Sequence, residues 1–172
     1  MELRADAQRN RTAILAAAAE VFAEHGPTAT TQQVATRAGV AVGTIFRHFP
    51  TKDALLAAIM KQSLQRLSEL ADSTDLFSFI TAVVDESAST RTVVEALSQQ
   101  GIDLGDALRG LTDATARLLA RAQSAGDVRD AVQVDEVMAL MTALSQAAQQ
   151  AGWTADLQRR TLGIVFGGLA PG

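Results

Sequence analysis

The chain has 172 residues, of which 48% are apolar and 20% charged, with a formal net charge of −4 and no cysteine. That balance suits one substantial helical core, or a small domain joined to a larger one, and argues against disorder beyond the ends. It excludes disulfides and thiolate metal sites; no apolar run reaches membrane-span length and no signal-peptide pattern opens the chain, so a cytoplasmic protein without a membrane partner is expected.

The acidic total hides an asymmetry. Residues 1–55 carry six basic and five acidic side chains, and the rest nine and fourteen. A faintly basic N-terminal part is thus joined to an acidic remainder, and local placement matters more than net charge for binding a polyanion. The first helix is expected over about residues 7–25, with Ile14, Ala18, Val21 and Phe22 inward. Arg4, Arg9 and Arg11 precede or open it, either to reach a DNA backbone or minor groove or as a flexible basic tail.

The most informative stretch follows, from Thr30 to Lys52. Thr30 or Thr31 caps a short helix, and Val34, Ala35 and Ala38 share one of its sides. Gly39 stands where that helix must stop, since glycine adopts the left-handed backbone favoured just beyond a helix end. A second short helix begins near Val42. In it Ile45 and Phe49 lie four apart and pack back on Val34 and Ala38. Thr44, Arg47 and His48 then form a separate polar face of the size that enters a major groove. Pro50 ends this helix and Thr51 caps the next. Lys52 stands beside the new N-terminus, where free N–H groups favour a phosphate. Two short helices joined by a tight turn make a helix-turn-helix. Val34, Ile45 and Phe49 read as core, His25 as structural, and Arg37 as a solvated or backbone-contacting charge.

These residues carry a family resemblance. Phe22-Ala23-Glu24-His25-Gly26, Thr30-Thr31, Ala35-Thr36-Arg37-Ala38-Gly39-Val40, Gly43-Thr44-Ile45-Phe46-Arg47-His48-Phe49 and Lys52-Asp53-Ala54-Leu55 follow in the order and spacing of the TetR family of bacterial transcription regulators. The segment Phe22 to Leu56 resembles that family's DNA-binding domain. The resemblance implies phosphate contacts from Thr31, His48 and Lys52. It implies base reading from Val40, Ala41, Val42, Gly43, Thr44 and Arg47. Many relatives carry serine or lysine where this chain has Ala41 and Val42, and tyrosine where it has Phe46. The turn is therefore less polar and a phenolic phosphate contact is lost, while Ala41 and Val42 suit thymine methyl groups.

The remainder reads as helical. The only prolines are Pro27, Pro50 and Pro171, so none breaks a helix between 51 and 170. A fourth helix is expected from Thr51 to about Ala71, with Leu55, Leu56, Ile59, Met60, Leu64 and Leu67 apolar. After a break at 72–75, further helices are expected near 75–88, 91–100, 103–125, 134–151 and 155–168. The 103–125 helix carries a stripe of Leu104, Leu108, Leu111, Thr115, Leu118 and Ala122. Catalytic or metal-ligating constellations are not expected: both histidines fall in the first 48 residues, cysteine and tyrosine are missing, and no glycine-rich phosphate loop occurs. No enzyme activity and no cofactor are expected.

Within the resemblance, the C-terminal part binds a small molecule and dimerises. Candidate ligand contacts are Met60, Leu64, Phe77, Ile80, Leu97 and Leu111, with Thr115, Met138, Met141, Thr142 and Trp153; ordinary core packing is the competing reading of each. The dimer interface is expected on the last two helices, at Val137, Leu140, Leu144, Leu157, Ile164, Val165 and Phe166. The expectation is an all-α chain with residues 1–52 as a three-helix DNA-binding domain and 53–172 as a helical bundle for ligand binding and dimerisation. Its function is expected to be that of a homodimeric repressor on a palindromic double-stranded operator, released by an unidentified effector. The alternatives are a helical DNA-binding protein without an effector, and an enzyme or carrier whose motif is coincidental.

Overall fold

The structure is a computed structural model, and it describes residues 2–98 and 105–171. The described residues form α1 (Glu2–His25), a 3₁₀ turn (Gly26–Thr28), α2 (Thr31–Ala38), α3 (Val42–His48), α4 (Lys52–Leu70), α5 (Leu76–Ser98), α6 (Gly105–Ala125), α7 (Val134–Ala151) and α8 (Ala155–Leu169). No strand occurs among them, and the chain is all-α as expected.

Two differences from expectation have local causes. Helix α1 starts at Glu2 rather than residue 7. Its early alanine, arginine and glutamine residues are good helix formers, and Arg9 pairs with Asp6 one turn back. Arg9 and Arg11 therefore stand on a helix and not in a flexible tail. Helix α5 runs unbroken where two helices, 75–88 and 91–100, were expected. The run Ser87 to Thr90 suggests a break, but it holds neither glycine nor proline. Ser87 also spends its hydroxyl within the helix, donating to the Val84 carbonyl at 2.6 Å. The end of the expected 91–100 helix, the start of the 103–125 helix and Leu104 lie outside the described residues.

The chain divides into two compact units. The first holds the N-terminal residues to Gln62 and the part of α5 from Ser89. Its core is built from Ile14, Leu15, Ala18, Val21 and Phe22 of α1, Val34 and Ala35 of α2, Ile45 of α3, Phe49, and Leu55 and Leu56 of α4, all buried. The second holds Ser63–Ala88 and the residues from Gly105 onward. Leu76, Phe79, Ile80 and Val84 of α5 pack there with Leu111, Ala114, Thr115 and Leu118 of α6 and Val137 and Met141 of α7.

The α6 stripe holds from Leu111 to Ala122, but Leu108 is 47% exposed. It lies in the first turn of α6, one turn ahead of the first buried leucine. In α7, Val137 and Leu144 are buried within the protomer. Together with Met141 and Ala148 they form the inward stripe of that helix. They are thereby lost as candidates for a dimer surface.

Candidate nucleic-acid interface

The short helices are fixed by their ends. Thr30 caps α2: its Oγ1 accepts from the Gln33 N–H at 3.2 Å, and the Thr30 N–H donates to Gln33 Oε1 at 2.9 Å. This reciprocal pair satisfies donors that a helix start leaves open. Gly39 ends α2 with φ 67°, and its N–H and that of Val40 return to carbonyls of the last turn. Ala41 is extended and opens α3, which stops at His48 because Phe49, before Pro50, is extended with φ −137°. Thr51 then accepts from the Ala54 N–H at 3.0 Å and caps α4 as expected.

This framework sets which side chains face water. Val34, Ala35, Ile45 and Phe49 are buried, as their spacing requires. Ala41, Gly43, Phe46 and Arg47 are exposed, while Thr31, Val40, Val42, Thr44 and His48 are half-buried. Phe46 keeps 46% of its surface in contact with water. Thr36 bonds back to the Gln32 carbonyl at 3.0 Å. The hydroxyls of Thr31 and Thr44 and the Arg47 guanidinium have no such partner among the described residues, so their donors remain available to a ligand.

The cations of this unit are not equivalent. Arg37 is neither simply solvated nor bound to backbone. It forms a two-pronged ion pair with Glu24, at 2.7 and 3.1 Å, and reaches Glu20 at 3.0 Å. The hydrogen bond from Arg37 holds the Glu24 carboxyl below its ordinary value and raises the guanidinium in turn. The contact ties α2 to α1. Arg11 sits 5.4 Å from the Phe49 ring centre, a cation–π position next to the end of α3. His48 lies against the same ring, 6.2 Å between centres. Lys52, expected at a phosphate, is exposed; its Nζ also donates to the Ala29 carbonyl at 2.9 Å and stands 5.3 Å from the Phe22 ring centre. Sequence spacing does not reveal these contacts, because they join residues far apart in the chain. Arg9 pairs with Asp6 and Arg37 with Glu24 and Glu20, while among the described residues Arg11, Arg47 and the exposed Lys52 bring positive charge to this unit.

The expected ligand residues are mostly spent on packing. Met60 and Leu97 are buried in the first unit; Leu64, Ile80, Leu111, Thr115 and Met141 are buried in the second. Thr115 donates its hydroxyl to the Leu111 carbonyl at 2.9 Å. Phe77, Met138 and Trp153 are half-buried, and Thr142 is exposed. Phe77 packs on Phe166 with ring centres 4.8 Å apart. It also lines a surface cavity of about 200 Å³, together with Leu76, Leu118, Ala122 and the rim residues Asp75, Arg121 and Asp127. Of the expected dimer residues, Leu157 and Ile164 are exposed and Leu140, Val165 and Phe166 half-exposed.

A helix-turn-helix with an outward polar face, in a chain with a second helical unit, defines the class of helix-turn-helix transcription regulators. Comparison with known proteins agrees. Residues 14–59 match the family model of bacterial regulatory proteins, tetR family, and residues 71–171 match the model of the SbtR-like transcriptional regulator C-terminal domain. The TetR transcription regulatory protein of Mycobacterium vanbaalenii is similar over 98% of this chain and 99% of its own, with a TM-score of 0.81 and 32% identity. The regulator SCO0520 of Streptomyces coelicolor covers 94% of this chain with a TM-score of 0.76 and 28% identity. The HTH-type repressor Rv3405c of Mycobacterium tuberculosis is 45% identical over 62 residues, 36% of this chain and 33% of that protein. UidR of Escherichia coli is 32% identical over 89 residues, 51% and 45% of the two chains. The match thus spans between a third and a half of these curated relatives' length. The chain belongs to the TetR family of bacterial transcription regulators, a family of regulators and not of enzymes.

Proposed function

We propose that this TetR-family chain is a repressor that binds a palindromic DNA operator as a homodimer and is released by a small molecule. The observation that carries the reading is the outer face of α3, where Thr44 and Arg47 hold unspent donors on a helix anchored from behind by Ile45 and Phe49. Arg47 reads a base edge, and Thr44 adds a hydroxyl beside it. Ala41 and Val42 offer methyl groups to thymine, and Val40 and Gly43 complete the approach. Thr31, His48 and Arg11 fix the backbone, and Phe46 packs on sugar. Residues 1–52 serve as the DNA-binding domain and 53–172 as the ligand-binding and dimerisation domain. The relative Rv3405c is itself named a repressor.

A single recognition helix covers one half-site, so a two-fold dimer is the physical expectation. The outer face of α8 supports it. Leu157, Thr161, Ile164 and Gly168 recur at helical spacing, with Ile164 78% exposed. Leu140 and the neighbouring alanines Ala143 and Ala147 give α7 a smooth outer side.

Release requires an effector with different affinities for the DNA-competent and incompetent states. The cavity beside Phe77 supports a compact, largely apolar effector. A regulator with no small-molecule effector is the second reading, favoured by the number of expected ligand residues consumed in the core. Binding to the DNA upstream of the chain's own gene, with and without candidate metabolites, tests both. Specific binding supports the repressor. Calorimetry that finds equal metabolite affinity for free and operator-bound protein removes the effector and leaves DNA binding standing.

A further inference from the structure

We propose that the cavity beside Phe77 is a site for a small apolar carboxylate, with Arg121 at its rim as the group that recognises the acid. The inference names the chemistry of the effector proposed above and rests on that reading only in its last measurement.

The cavity lies within the second unit, between the start of α5 and the end of α6. Leu118, Ala122 and Ala125 follow one face of α6 at helical spacing and meet Leu76 and Phe77 in the first turn of α5. Leu76 and Leu118 are each 1% exposed, so the core fixes the floor. The volume is about 200 Å³. An apolar cavity of about 150 Å³ holds a benzene ring, so this one admits a single ring or a short branched chain with a polar head at the mouth.

Three charged side chains line the cavity: Asp75, Arg121 and Asp127. Asp75 is already engaged. Its carboxylate accepts from the Ser78 N–H at 2.9 Å and the Ser78 hydroxyl at 2.6 Å, closing the first turn of α5. Asp127 follows Gly126 beyond the end of α6, and nothing among the described residues holds its carboxylate in place. Arg121 is held and open at once. Its Nη2 donates to the Ala71 carbonyl at 3.1 Å and to the Thr74 carbonyl at 2.5 Å, which pins the guanidinium against the turn between α4 and α5. Nε and Nη1 have no partner among the described residues, and their hydrogens remain for an acceptor. A guanidinium fixed along one edge meets a carboxylate without the ordering cost that a free side chain carries. Asp127 favours an ammonium by charge, but it is not positioned to receive one. The apolar floor supplies most of the affinity, and Arg121 sets the sign of the ligand's charge. Arg121 also ties α6 to the residue that follows α4, so an acid bound here acts on that tie.

Benzoate, benzylamine and benzyl alcohol share one ring and differ in charge. In calorimetric titration of the DNA-free chain, benzoate is expected to bind at least about tenfold more tightly than the other two. Arg121→Gln is expected to weaken benzoate by about tenfold and to leave benzyl alcohol unchanged. Ala125→Phe alters an exposed residue of the wall, keeps Arg121, and is expected to abolish benzoate binding. If Arg121→Gln perturbs folding, Ala125→Phe and the three-ligand comparison decide. No benzoate binding to the wild type at millimolar concentration overturns the proposal. So do equal affinities for the three compounds, tighter binding of benzylamine, or wild-type benzoate affinity in either folded variant. Benzoate that occupies the cavity without weakening operator binding supports the site and counts against the effector reading. An amine or alcohol that releases the operator where benzoate does not bind overturns the acid site and supports the effector reading.

Discussion

At the residue scale, one helix-turn-helix divides its arginines between two tasks. Arg47 has no partner among the described residues and is exposed on α3. Arg47→Ala is expected to weaken operator binding by about 1–3 kcal/mol with the helical content and melting temperature unchanged. Unchanged affinity in a salt-controlled titration removes it from the interface. Arg37 is committed to a surface ion pair with Glu24 and Glu20 that joins α2 to α1. The Glu24 carboxyl is held below its ordinary value of 4.5, chiefly by the hydrogen bond from Arg37. A carboxylate depressed on folding contributes stability above its unfolded value and loses that stability as pH falls through its folded value. Acidification from roughly pH 5 to 3 is therefore expected to lower the melting temperature more steeply in the wild type than in Arg37→Gln, most clearly at low salt. Parallel pH profiles would show that the pair does not couple to folding. The motif spacing made Thr44 and Arg47 legible as an outer face. It could not reveal Arg37 with Glu20 and Glu24, or Lys52 with Ala29, since those partners depend on how helices cross.

At the element scale, the ends of helices were more legible than their lengths. Thr30, Gly39, Pro50 and Thr51 act through their own backbone or the next turn, and each stands where expected. Helix α5 was not legible, because serine and threonine weaken a helix without ending it when their hydroxyls find carbonyls in the preceding turn. The Val137 and Leu144 stripe shows a related limit: periodicity identifies an apolar face but does not say whether a neighbouring helix or a second protomer covers it. Gly39 offers a direct check of an element boundary. A methyl group there meets nothing within 4 Å, but the residue sits at φ +67°. Gly39→Ala is thus expected to cost about 1–2 kcal/mol from backbone strain alone, read by denaturant unfolding. A neutral effect would mean that the turn relaxes out of the left-handed region.

At the scale of the whole molecule, an acidic chain offers a basic N-terminal surface in which Arg9 and Arg37 are paired with carboxylates while Arg11 and Arg47 stand beside α3. In the proposed homodimer that surface is doubled. Ile164 is the most exposed of the large apolar side chains on α8, and Ile164→Asp is expected to shift the protein toward monomer by light scattering while leaving each protomer folded. A dimer unaffected by this change moves the interface elsewhere. The central claim is that α3 of this TetR-family chain reads an operator sequence. Its most direct test is an anisotropy titration, at one fixed salt concentration, of a labelled duplex from upstream of the chain's own gene and of a scrambled duplex of equal length. The expected result is saturation at two chains per duplex, with affinity for the upstream sequence at least about a thousandfold above the scrambled one. Equal affinity for both duplexes would contradict the claim.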